Sequence, residues 1–265
     1  MSPRTRAVLV VAAAATAAAG AAVGVTLATR SDIPEQTSKP PPFLSDPTAS
    51  PEVASEVREA LRAWPAGTVR RLRVLAARHP GSALVRLELG VALALSGQTD
   101  DAVSAWRNAE RVQPDSPSAV RAQDLRFRDT PPGLPPFVPS FVRPSTAAQT
   151  HLLRGAAFQQ ALLPVSAERE FAAAARAAPN DAEALTAAAV GLYDKDRPAL
   201  AFSRLGPLVR RFPHAQTVRF HLGLLLIYFR DIPRARQELA LARAEGPGTR
   251  LGKRAQTLLE AGRKP

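Results

Sequence analysis

Residues 82–114 read SALVRLELGVALALSGQTDDAVSAWRNAERVQP. Apolar residues recur at helical spacing on both sides of Gly97, which predicts two helices joined by a short turn. Pro114 stops the second helix, because its ring removes a hydrogen bond and restricts the residue before it. Small and large residues alternate in a telling way. Gly90 and Ala102 let two helix axes approach, and Trp106 is the size that fills the hole left beside them.

The same arrangement returns along the chain. Pro80 and Pro114 are 34 residues apart, and Pro179, Pro213 and Pro247 repeat that spacing. Counted back from Pro179, the small and large positions are Gly155, Phe158, Ala167, Phe171 and Ala174. Before Pro247 they are Leu222-Gly223, Leu226, Ala235, Leu239 and Ala242. A looser unit ending at Pro213 has Ala189, Leu192, Ala201, Leu205 and Leu208, and one ending at Pro80 keeps only Leu72 and Leu75. A fixed period of this length marks a stack of helix pairs. These positions resemble the tetratricopeptide repeat (TPR) signature: an early Leu-Gly, a middle Ala, an aromatic, another Ala and a closing Pro. The fold class expected is therefore all-α, a TPR-type α-solenoid of about five helix pairs. Residues 249–263, with Leu251, Ala255, Leu258 and Leu259 on one face, read as a capping helix that covers the last pair. Thr99 and Asp231 stand where second helices begin and are expected to cap them.

Five units do not form one uninterrupted run. The organisation read from the sequence is 1–30, an N-terminal anchor or signal; 31–51, a Pro-rich linker; 52–114, two repeat units; 115–147, an insertion; 148–247, three further units; and 248–265, the capping helix. The insertion opens with a short helix capped by Ser116 or Ser118. It continues over 130–145 as TPPGLPPFVPSFVRPS. That stretch is Pro-dense yet apolar. Burial of a Phe is worth about 1.5–3 kcal/mol, so Phe137 and Phe141 should lie against folded surface. Two readings compete: a tether covering apolar surface, or an intramolecular lid that seats Phe137 and Phe141 in separate groove pockets. The 31–51 linker contains Lys39-Pro40-Pro41-Pro42 and reads as a semi-extended spacer with no core of its own.

The N-terminal segment is apolar and uncharged from Ala7 to Thr29, 23 positions flanked by Arg4, Arg6 and Arg30. About 20 such residues span a bilayer as a helix. This predicts a transmembrane helix with its N-terminus inside, so that the repeats lie outside the cytoplasm. A cleaved signal peptide, with small residues for cleavage within 12–22, is the alternative.

The search for chemistry is short. The chain has no cysteine, which excludes disulfides, thiolate metal sites and a cysteine nucleophile. His79, His151, His214 and His221 have no second ligand at metal spacing, and read as surface or packing residues. Asp194-Lys195-Asp196 reads as a turn with capping acids. No nucleophile, phosphate-loop or cofactor signature occurs, so neither an enzyme nor a cofactor is expected. The net charge of +12 comes mostly from Arg. Basic clusters interleaved with aromatics are missing, which disfavours nucleic acid as partner.

Binding is what remains. In the TPR family the first helices of successive pairs line a groove for peptides. Carried over by register, the groove positions would be Leu84, Leu87, Val91 and Leu95; Gln149, Leu152, Ala156, Gln159 and Gln160; Glu183, Thr186, Val190, Tyr193 and Asp194; and Thr217, Phe220, Leu224, Ile227 and Tyr228. The Lys, Asn and Arg set with which some family members clamp a carboxylate is missing here. The expected partner is a protein or peptide, with the membrane engaged through the N-terminal helix. The pattern resembles single-anchor TPR proteins of bacterial envelopes, which escort or assemble other proteins. A second reading takes the chain as an organiser binding cell-wall or membrane polyanions through exposed Arg.

Overall fold

The computed structural model describes residues 40–262. The anchor or signal read at 7–29 and the first part of the linker lie outside the described residues. Among those residues there are twelve helices and no strand, and no helix is long and apolar enough to cross a membrane. They divide into two compact units after Phe127.

The first unit contains α1 (Pro51–Leu61), α2 (Thr68–Arg78), α3 (Ala83–Leu95), α4 (Thr99–Val112) and α5 (Pro117–Arg126). Neighbours pack in sequence order, and α3 also touches both α1 and α5. That is the pattern of stacked pairs whose first helices share one face. Trp106 of α4 lies across Gly90 of α3 so closely that a Cβ at residue 90 would fall 2.3 Å from its Nε1. The short helix at the start of the expected insertion is α5. It is capped by Ser116, whose Oγ accepts from the Ala119 amide at 3.1 Å. Arg126 of α5 pairs with both carboxylate oxygens of Glu110 on α4 at 2.7 Å, so α5 closes this unit as an unpaired first helix.

The second unit contains α6 (Ala147–Gln160), α7 (Pro164–Ala177), α8 (Ala182–Gly191), α9 (Ala199–Arg211), α10 (Gln216–Tyr228), α11 (Ile232–Glu245) and α12 (Arg250–Ala261). Here α8 touches α6 and α10, and α10 touches α12. The small-on-large contact recurs at the same separation. A Cβ at Gly155 would meet Phe171 at 2.3 Å, and one at Gly223 would meet Leu239 at 2.8 Å. The terminal helix α12 buries Leu251 and Ala255 against α11 and α10. Thr249 caps it, accepting from the Gly252 amide at 3.0 Å.

Two local expectations are corrected. Thr99 is the first helical residue of α4, and the position before it, Gln98, makes no side-chain cap. Lys195 is buried, and its ammonium donates to the Pro131 carbonyl at 2.9 Å. A surface turn explains Asp194 and Asp196 but not the residue between them.

Candidate functional site

In the second unit, residues 130–142 run as an extended arm along the face made by the first helices α6, α8, α10 and α12. The arm has four prolines, at 131, 132, 135 and 136, before its first Phe. It can form neither helix nor ladder there, and its backbone polar groups must find partners elsewhere. Side chains of the repeat supply them. The Tyr228 hydroxyl donates to the Pro132 carbonyl at 3.3 Å. The Gln159 amide group reaches twice, accepting from the Phe137 N–H at 2.7 Å and donating to the Pro135 carbonyl at 3.3 Å. His221 accepts from the Val138 N–H through Nε2 at 2.9 Å. Glu183 accepts from the Ser140 amide and hydroxyl, and the Arg250 guanidinium donates to the Phe141 carbonyl at 2.9 Å.

The apolar side chains of the arm enter three adjoining clusters. Leu134 packs with Tyr193 and Tyr228, whose rings meet edge-on at 5.8 Å. Phe137 is buried with Leu152, Ala156 and Val190. Its ring stacks on His221 at 4.8 Å and meets the edge of Phe171 at 5.2 Å. Val138 joins Phe220, Leu224 and Ile227. The sequence reading placed Phe137 and Phe141 in separate pockets. Instead both belong to the Leu152 cluster, with Phe141 at its edge, and Val138 takes the second pocket. Alternation explains the change: in extended chain adjacent side chains face opposite ways, so 137 and 138 reach two clusters at once, whereas 137 and 141 share a side.

Electrostatics fit a neutral acceptor at the centre. Burial pushes the His221 imidazole down to about 4, against the pull of its bond to the Thr217 carbonyl. Nδ1 lies 2.7 Å from that carbonyl, which fixes the proton on Nδ1 and leaves Nε2 free to accept. Burial pushes Glu183 up, although its bonds from Ser140 work the other way.

The first unit holds an arm of its own. The stretch 31–51 reads as a semi-extended spacer with no core of its own, but within it Phe43 and Leu44 pack, as Val91 does, against the cluster of Leu84 and Leu87. Leu84 and Leu87 are wholly buried in that core. The Arg58 guanidinium lies 5.0 Å from the Phe43 ring centre, and the Leu44 N–H donates to Glu88 Oε1 at 2.6 Å. Arg121 donates to the Ser45 carbonyl. Asp46 accepts from the Ser118 amide at 3.0 Å, at the first turn of α5. Burial would raise Asp46, but bonds from Ser118 and Thr48 outweigh it and hold the carboxyl below its ordinary value. Glu88 is buried, and burial pushes it up to about 8 against its bond from Leu44. The spacer reading failed because composition counts prolines, whereas Phe43, Leu44 and Asp46 each gain a specific contact.

Glu88, His221, Lys195 and Arg250 were missed as groove residues. The signal was there for two of them: Glu88 and His221 are polar residues set in apolar helical stretches, directly before Leu-Gly. Among the described residues, no group of three or more His, Cys, Asp or Glu is placed to hold a metal ion.

No family model and no curated protein matches the chain. Solved structures do. YrrB, a TPR protein with an unusual peptide-binding site, is 14% identical over 78% of this chain and 88% of its own, with a TM-score of 0.33. The TPR2AB domain of yeast Sti1 in complex with pHSP90 is 13% identical over 80% and 86%, with a TM-score of 0.36. A double mutant of MamA RS-1 is 17% identical over 77% and 94%, with a TM-score of 0.28. The fold is read from the packing itself. With helix pairs stacked in order and a small residue under a large one at the same register in each of three pairs, the chain has a TPR-like fold.

Proposed function

We propose that this chain is a membrane-anchored adaptor that holds an extended segment of another protein outside the cytoplasm, in the assembly or escort of envelope proteins. One observation carries the reading. Gln159, Glu183, His221, Tyr228 and Arg250 all bond to main-chain atoms of one extended segment. A face so equipped reads backbone, and main-chain bonds give affinity while pockets give preference. The arm at 130–142 is the resident competitor. Its prolines lower the entropy lost on docking, and its tether sets an effective concentration on the order of millimolar. A partner must displace it. The apolar 7–29 segment, with Arg4 and Arg6 before it, would supply the anchor and the orientation.

The test is capture from the protein's own envelope fraction with the full chain and with a Phe137→Ser, Phe141→Ser chain. The double variant should exchange its 130–145 amides faster and retain on the order of tenfold more partner, because the competitor is weakened. Faster exchange without a gain in capture removes the competitor. Capture that collapses with salt in both chains would favour the polyanion reading instead. In intact spheroplasts, protease added outside should digest the repeats. Protection would overturn the orientation, and a mature N-terminus within 12–22 would replace the anchor by a cleaved signal.

A further inference from the structure

The chain contains Pro-Pro-Phe twice, as Pro41-Pro42-Phe43-Leu44 and Pro135-Pro136-Phe137-Val138. Each copy lies in the arm that directly precedes the first helix of its unit, α1 in one and α6 in the other. Both copies are seated on first helices of their own unit, in matching ways. The first proline, Pro41 or Pro135, is buried. The amide following the Phe donates to a buried side chain: Leu44 N–H to Glu88 at 2.6 Å, and Val138 N–H to His221 at 2.9 Å. Glu88 and His221 occupy one register position, two residues before Gly90 and Gly223, the glycines over which Trp106 and Leu239 pack. The Phe lies on a side chain of a first helix in each case, Arg58 of α1 or His221 of α10. Two residues past the aliphatic one, Asp46 and Ser140 bond to the opening turns of α5 and α8.

We infer that the first-helix faces of both units are reading sites for one linear motif, Pro-Pro-Phe followed by an aliphatic residue, presented in extended form by a partner protein. This inference rests on the peptide-binding reading above and names the ligand. The chemistry selects that motif. Two prolines fix the backbone and remove two donors, so the peptide arrives already extended and offers carbonyls. The amide after the Phe is the donor that both sites satisfy, and it meets an acceptor two residues before the repeat glycine. Phe and the aliphatic residue both reach apolar clusters: Phe137 and Val138 divide between two, and Phe43 and Leu44 pack against one. An unbonded amide at that depth would be costly, so the acceptor makes register, and not just apolarity, part of recognition.

The experiment uses the full chain in detergent and two labelled synthetic peptides, residues 40–48 and 131–142. Against a Phe137→Ser chain, both peptides should bind. Versions with Ser in place of Phe should bind about tenfold more weakly or worse, since the lost burial alone is worth that much. The unaltered chain should bind less of either, its own arms being seated. A Phe137→Ser chain that is folded by circular dichroism yet binds neither peptide overturns the inference; the arms are then packing alone. Should that variant not fold, Val138→Leu makes the second arm identical to the first over the motif. It should keep the melting temperature and the amide protection at residue 138, and loss of that protection overturns the shared motif. The two readings separate cleanly. A captured partner that neither peptide displaces removes the motif and leaves the adaptor, whereas peptide binding with no captured partner upholds the motif and removes the adaptor.

Discussion

At the scale of single residues, the turn between the helices of a pair has a conformation the sequence meets unevenly. Gly97, Leu162 and Arg230 stand at one register position, with φ of 78°, 58° and 67°. Glycine adopts this left-handed region freely, whereas other L-residues carry a cost of about 1–2 kcal/mol there. Two of the three pairs therefore hold a strained side chain where the first has none. Arg230 is the clean case, being exposed; among the described residues its ion pair is a 3.8 Å surface pairing to Asp129, which is worth little. Arg230→Gly should stabilise the second unit by about 1 kcal/mol, read as a higher denaturant midpoint at unchanged slope. A lower midpoint would mean that the strain is not there.

At the scale of elements, the α3–α4 pair depends on how closely two axes approach. Gly90 has the Trp106 indole directly above it, and a side chain at 90 has no room. Gly90→Leu should cost about 1–3 kcal/mol or more through overpacking. The control is Gly81, exposed in the turn before α3, where an added Cβ meets nothing within 4 Å. Gly81→Leu should change stability by no more than about 0.5 kcal/mol, as surface substitutions into open space do. Equal losses at both sites would contradict the packing described. The two arms belong to this scale as well. Each is too rich in proline to form an element, and each becomes ordered only because first helices carry partners for its backbone.

At the scale of the whole molecule, the two units should respond oppositely to pH. Glu88, pushed up to about 8 from 4.5, holds its proton in the native state where the unfolded carboxyl has lost it. Its contribution is complete below 4.5 and is lost as pH rises through 8. His221, pushed down to about 4 from 6.5, stays neutral where the unfolded imidazole is charged. Its contribution is complete above 6.5 and is lost as pH falls toward 4. Glu183, raised by burial, partly opposes His221 within the second unit. Amide protection should report this site by site, with Leu44 losing protection from pH 5 to 9 and Val138 from pH 7 to 4. Glu88→Gln keeps an acceptor and removes the charge, so it should flatten the Leu44 profile and leave Val138 alone. A Leu44 profile that stays steep in Glu88→Gln would place the titrating group elsewhere.

What the sequence determined was whatever repeats. The 34-residue period, the glycines under large side chains and the closing prolines are local rules restated several times, so helix pairs and their order were legible from residues alone. By the same register Gln159, Leu152, Phe220 and Tyr228 fall on first helices, where the 130–142 arm meets them. What only the tertiary structure decided was non-repeating. That residues 40–49 are seated and not free depends on Glu88, far along the chain, lying within hydrogen-bond reach of Leu44. That Val138 and not Phe141 fills the second pocket depends on which way an extended backbone faces after Pro136. Neither has a period to read, because an arm without secondary structure takes its conformation from the surface that accepts its backbone.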